Sequence, residues 1–97
     1  MGGQPAKGLM AGANVIMSYT VYVLESEKNS LRYIDYTTDL ENRLREHNCG
    51  RNISTQCKGP WKLVHSEKQP TLELAKKREK FFKSGRGRIV LKNLIGA

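Results

Sequence analysis

The chain offers side chains of types that can handle phosphate and protons, among them Tyr22, Tyr33, Arg43, His47 and Glu79. Phosphodiester hydrolysis needs a deprotonated nucleophile, neutralised charge on the phosphate and help for the leaving oxygen, and the residue types for all three are present. Arg43 and His47 are four apart, so a helix carries them on one face. Each residue also has an ordinary explanation. Hairpin tyrosines are usually half-buried packing, and Arg43 and His47 fit the surface of an amphipathic helix. A tyrosine acting as a base must titrate below its usual value of about 10. For any one of these residues taken alone, the ordinary explanation is the better one.

The elements that must position them are legible from periodicity. Tyr19 to Leu24 is β-branched, aromatic and aliphatic, which predicts a strand. Glu27 to Ser30 is polar and turn-like, and Arg32 to Thr37 is a second strand. A hairpin turning about Lys28-Asn29 sets Tyr22 opposite Asp35 and Leu24 opposite Tyr33, all four on one face. Tyr22 and Tyr33 are then diagonal neighbours at roughly 7–8 Å, and a one-residue slip would part them. Thr38 and Glu41 have capping-box spacing, so a helix is expected from Thr38, with Leu40, Leu44 and His47 on one face and Gly50 ending it. Arg51 to Gly59 reads as a loop. Trp61 to Glu67 reads as a third strand with Trp61, Leu63 and His65 on one face, His65 being an ordinary strand histidine. A second helix opens at Thr71. It is apolar on the side of Leu72, Leu74, Ala75, Phe81 and Phe82, and basic on the other. Arg78 and Glu79 fall on the apolar side, where a carboxylate needs a partner, a metal or water. Gly85-Arg86-Gly87-Arg88 is expected to break this helix, and Ile89 to Ile95 to close the chain as a short helix. The elements predict a small α+β layered fold.

The 97 residues suit one domain, and the formal charge is +8. Lys76 to Lys92 holds eight Lys or Arg against one acid, while the remainder is nearly balanced. A concentrated basic segment suits a polyanion, because phosphate contacts release counterions; a merely solubilising face is the plainer alternative. No stretch approaches the ~18 apolar residues of a membrane helix, so a cytoplasmic protein is expected. Residues 1–16 lack periodicity and are expected to be a tag or disordered tail, with the domain spanning 17–97. Cys49 and Cys57, with His47 and His65, lack a zinc spacing, and two reduced thiols are the expectation.

Val21-Tyr22-Val23, then Tyr33-Ile34-Asp35-Tyr36-Thr37, Arg43-Leu44, His47-Asn48-Cys49-Gly50, Pro60-Trp61-Lys62-Leu63 and Lys77-Arg78-Glu79 follow one another in order. That set resembles the GIY-YIG nucleases, specifically their small single-domain bacterial branch, and is similar to the N-terminal domain of the excision-repair nuclease. The resemblance runs from about Ser18 to Ile95. It implies a three-stranded antiparallel sheet flanked by helices and a metal-dependent endonuclease cutting DNA, branched or damaged, in repair or recombination, with a partner protein supplying specificity. It also implies residue roles. Tyr22 is the general base or positions the attacking water, with Tyr33 beside it. Arg43 holds the scissile phosphate, His47 relays a proton or orients water, and Glu79 binds one divalent ion, Mg²⁺. Asn93 lies near the family's C-terminal Asn. Lys76, Lys80, Lys83, Arg86 and Arg88 join Arg43 as candidate nucleic-acid contacts. There are two departures from the pattern. Thr20 replaces a glycine this branch usually tolerates losing, and Asp35 replaces the glycine of the second triplet. Asp35 adds bulk and negative charge beside the expected phosphate position. It either repels phosphate and raises the pKa of Tyr22, or serves as a second metal ligand. The alternative function is therefore a catalytically weak nucleic-acid-binding module that keeps the fold.

Overall fold

The computed structural model of the chain describes residues 18–51, 55–56 and 58–96. The expected leader and Cys57 lie outside the described residues. Strand β1, Tyr19–Ser26, pairs antiparallel with β2, Arg32–Thr37, and on its other side with β3, Trp61–Gln69. The sheet order is β2-β1-β3, so β1 is central and the other two are edges. Helix α1, Leu40–Asn48, follows the hairpin; α2, Leu72–Lys83, and α3, Gly85–Ile95, follow β3.

The hairpin register is the one alternation predicts: Tyr22 pairs with Asp35 and Leu24 with Tyr33. Because β1 has neighbours on both sides and cover on both faces, Val21, Tyr22, Val23 and Leu24 are all fully buried. Val21, Val23 and Ile34 meet α2 and α3 through Ala75, Phe82 and Leu91. Tyr22, Leu24 and Trp61 form a second apolar cluster on the opposite face, flanked by Tyr33 and by Leu40 and Leu44 of α1. The fold is thus α+β, with a three-stranded antiparallel sheet between two unequal helical layers.

Three local expectations are corrected. Helix α1 is capped by Asp39, not Thr38: the Asp39 carboxylate accepts from the Asn42 N–H at 3.2 Å. Both side chains suit a cap, and the Thr38 hydroxyl is one position too early for this helix. Trp61, Leu63 and His65 do not share a face. A register shift pairs Val23 with His65 but Leu24 with Leu63, leaving Val64 as an extra residue. This bulge turns His65 to the α2 side, where its ring meets Phe82 at 5.8 Å. Finally, Ser84, not the glycine pair, separates the last two helices. Its extended backbone ends α2, while its hydroxyl accepts from the Gly87 N–H at 3.1 Å and caps α3.

Candidate active site

The site is built on the α1 face of the sheet. Central strand β1 sets Tyr22 with its ring inward, and α1 brings His47 across from it. The Tyr22 hydroxyl lies 3.0 Å from His47 Nε2, and His47 Nδ1 lies 2.8 Å from the Thr55 hydroxyl. Tyr22, His47 and Thr55 are all buried. A neutral imidazole donates through one nitrogen and accepts through the other, so the two bonds run in one direction along Tyr22–His47–Thr55. Thr55 is itself fixed by its carbonyl, which accepts from the Trp61 indole N–H at 3.1 Å. Thr55 is not visible as a functional residue in the sequence. It sits in a polar loop without periodicity, and only the H-N-x-G turn ending α1 hints that the chain folds back there.

Tyr33 forms the rim. Its ring centroid is 4.8 Å from that of His47 and 6.4 Å from that of Tyr22. Its hydroxyl donates to Asp35 Oδ2 at 2.9 Å. The other Asp35 oxygen accepts from the Tyr36 backbone N–H at 2.8 Å. Arg43, one turn before His47 on α1, reaches Asp35 at 3.8 Å and Glu46 at 3.0 Å. Tyr22, Tyr33, Asp35, Arg43 and His47 are therefore brought together on one face.

Electrostatics sort these groups by protonation. Burial pushes Tyr22 up to about 12; nearby Arg43 opposes the rise and the Asp35 charge adds to it. Burial, then the neighbouring Arg43 charge, lowers His47 below its usual value, so the imidazole is neutral at pH 7. Burial also works against the charge on Arg43, but Tyr22 and Glu46 outweigh it and keep the guanidinium protonated. The resting cluster is thus a neutral phenol against a neutral imidazole, with a cation and a carboxylate at the rim.

Other expected residues stand apart. Glu79 lies on α2, ion-paired with Lys83, in a pocket of about 300 Å³ that it shares with Tyr36, Lys76, Lys77 and Lys80. That pocket is on the far side of β2 from the Tyr22 ring, because Tyr36 packs with the α2 core. Among the described residues no three His, Cys, Asp or Glu converge as a metal cage. One carboxylate still suits Mg²⁺, which keeps most of its waters and takes one or two protein carboxylates plus phosphate oxygens. Lys83, whose side chain is 52% exposed, can leave Glu79 to solvent or to a cation. Asn93 is exposed on α3, in the layer opposite α1. Lys76, Lys80, Lys83, Arg86 and Arg88 are all exposed, on α2 and α3. Arg78 is structural: it donates to Glu67 at 2.6 Å and lies over the Phe82 ring at 4.4 Å.

Comparison with known proteins agrees with this architecture. A family model described as the GIY-YIG catalytic domain matches residues 18–92. A UPF0213 protein of Haloquadratum walsbyi is 45% identical over 65 residues, covering 66% of this chain and 72% of that protein. One from Listeria welshimeri is 43% identical over 75 residues, 76% and 79% of the respective chains. The solution NMR structure of a UPF0213 protein from Bacillus halodurans superposes with a TM-score of 0.52 at 33% identity, covering 84% of this chain and 88% of that one. With the register of its tyrosine hairpin, the match over nearly all described residues and these UPF0213 relatives, the chain belongs to the GIY-YIG nuclease family, in its small single-domain branch.

Proposed function

We propose that the chain is an endonuclease hydrolysing DNA phosphodiester bonds with a divalent cation. The observation that carries this reading is the buried Tyr22–His47 hydrogen bond beside Tyr33 and Arg43. A phenol held near 12 is a poor base on its own. Tyr22 therefore works with His47: as water attacks phosphorus, the water proton passes to the Tyr22 oxygen and the phenolic proton to His47 Nε2. The P–O bond to the leaving oxygen breaks, and that oxygen takes a proton from solvent. The neutral state of His47 is what makes it an acceptor. Thr55 holds the ring in place. Arg43 offers the phosphate a planar pair of donors once it exchanges Asp35 and Glu46 for phosphate oxygens. The resemblance gives the cation, Mg²⁺, to Glu79; that carboxylate lies across β2 from the Tyr22 ring, so a cation held there would neutralise charge on the nucleic-acid backbone and not at the Tyr22–His47 pair. Branched or damaged DNA in the cytoplasm, with a partner protein choosing the target, completes the proposal. No helix among the described residues is long and apolar enough to cross a membrane.

A specific observation favours a second reading. Asp35 occupies the Arg43 and Tyr33 donors that a phosphate would use. If that contact persists on DNA, the chain is a binding module that retains the fold. Nicking of plasmid and branched DNA with Mg²⁺ separates the two. Tyr22→Phe and Glu79→Ala should each reduce cleavage, the former by about 10²–10⁴-fold, as for loss of a positioned proton acceptor. Cleavage that survives Glu79→Ala unchanged removes the cation assignment. DNA binding without cleavage in the parent protein supports the module.

A further inference from the structure

A groove of about 710 Å³ runs where the open edge of β2 meets α3. Successive residues from Ser30 to Ile34 line it, although their side chains alternate between sheet faces, so it follows the strand edge and not one face. Its walls hold Arg32, Lys83, Arg88 and Lys92 and no acid. Arg32 is paired with Glu25 at 3.6 Å, and Lys83 with Glu79. Among the described residues, no ion pair engages Arg88 or Lys92, which stand one turn apart on α3. Between the cations Leu31, which is 51% exposed, presents apolar surface, next to the core residues Ile34 and Leu91, which are themselves buried. Tyr33 also contributes to the lining from its place on β2, while its ring lies on the α1 face of the sheet, against His47 in the candidate active site.

We infer that this groove seats an unpaired nucleic-acid strand running away from the reaction centre. This rests on the nuclease reading and adds the form of the substrate. A cation pair alone would take any polyanion, duplex included. The exposed apolar side chain of Leu31 between the cations adds something only a single strand can use, because bases in a duplex have their faces stacked on one another and unpaired bases do not. No acidic residue lines the groove, and β2 carries both this lining and, through the Tyr33 ring, a side chain of the candidate active site. A peptide strand adding to the β2 edge is the competing occupant; the absence of any acidic residue in the lining, with two unpaired cations, favours phosphates over a typical peptide.

The test is binding without metal, so that cleavage plays no part. A fluorescently labelled deoxythymidine oligonucleotide and a duplex of equal length are titrated with the full chain in EDTA and read by anisotropy. The single strand should bind more tightly. Arg88→Glu with Lys92→Glu should weaken it about tenfold or more and flatten its salt dependence by about 0.7 for each phosphate no longer neutralised. Arg88→Gln with Lys92→Gln, which adds no repulsion, should weaken binding by less, in the same direction. Leu31→Ser should erase the preference for the single strand while leaving duplex binding as it was. Thermal unfolding of each variant checks the fold. Equal binding of both DNAs, or full affinity in the charge variants, overturns the inference, as does preferential capture of a labelled acidic peptide that DNA fails to displace. These outcomes are separate from hydrolysis. A protein that nicks duplex without preferring single strands keeps the nuclease reading and loses the groove; one that grips the strand but never cleaves does the reverse.

Discussion

Among single residues, Asp35 and Thr55 pull in opposite directions. Asp35 holds Tyr33 and Arg43 at the rim, so Asp35→Gly should free both. If Asp35 acts by repulsion, the cleavage rate of the variant rises by about tenfold for each ~1.4 kcal/mol relieved; if it is a metal ligand, the rate falls and Mg²⁺ dependence weakens. Strand glycine costs about 0.5–1 kcal/mol of stability, which a parallel melting curve accounts for. Thr55→Val keeps the shape and removes the hydroxyl. It leaves His47 Nδ1 buried without that partner and should cost about 1–3 kcal/mol, with cleavage reduced more than DNA affinity. Ultraviolet titration tests the phenol directly. One tyrosine should ionise only near 12, and Tyr22→Phe should abolish that step. The tyrosine pair is legible in the sequence because alternation fixes which side chains share a face. Thr55 is not, since a polar loop carries no period from which a tertiary partner can be inferred.

Among the elements, the joint between α2 and α3 is tight. A Cβ at Gly87 would fall inside the Phe81 carbonyl group, whereas Gly85 has open space around it. Gly87→Ala should therefore lose about 1–3 kcal/mol, read as a drop in Tm of several degrees, while Gly85→Ala should be neutral or gain about 0.4–1 kcal/mol through the unfolded chain. Two glycines in sequence read alike as helix breakers; their difference lies in what a neighbouring helix does with the space. The bulge at Val64 is invisible in the sequence for a similar reason. No glycine marks it, and the alternation of Trp61, Leu63 and His65 looks unbroken. Helix α2 is evident from its period, but the role of Glu79 depends on a rotation about the helix axis that period alone leaves loose. The structure turns it to Lys83.

Across the protein, acid stability follows from two networks. Burial opposes ionisation of Glu67, but hydrogen bonds from Arg78 and His65 outweigh it and lower its pKa. A depressed carboxylate contributes stability above its unfolded value near 4.3, and loses it as pH falls through the folded value. His47 is also lowered. The unfolded chain then binds its proton more readily, so stability declines as pH falls below about 6.5. Denaturant midpoints measured from pH 7.5 down to about 2 should show both limbs. His47→Gln should flatten the upper one, and Arg78→Met the lower.

Strand β1 is one residue thick, with the reactive cluster on one side and the helical core on the other. Val21 and Val23 face α2 and α3, while Tyr22, between them, faces His47. The two compartments share a party wall. A methyl group added or lost at Val23 should reach the Tyr22 hydroxyl through the shared backbone of β1, because packed interiors transmit strain. On the proposed nuclease reading, substitutions in the helix-facing core are therefore expected to alter the geometry of the Tyr22–His47 pair as well as thermal stability.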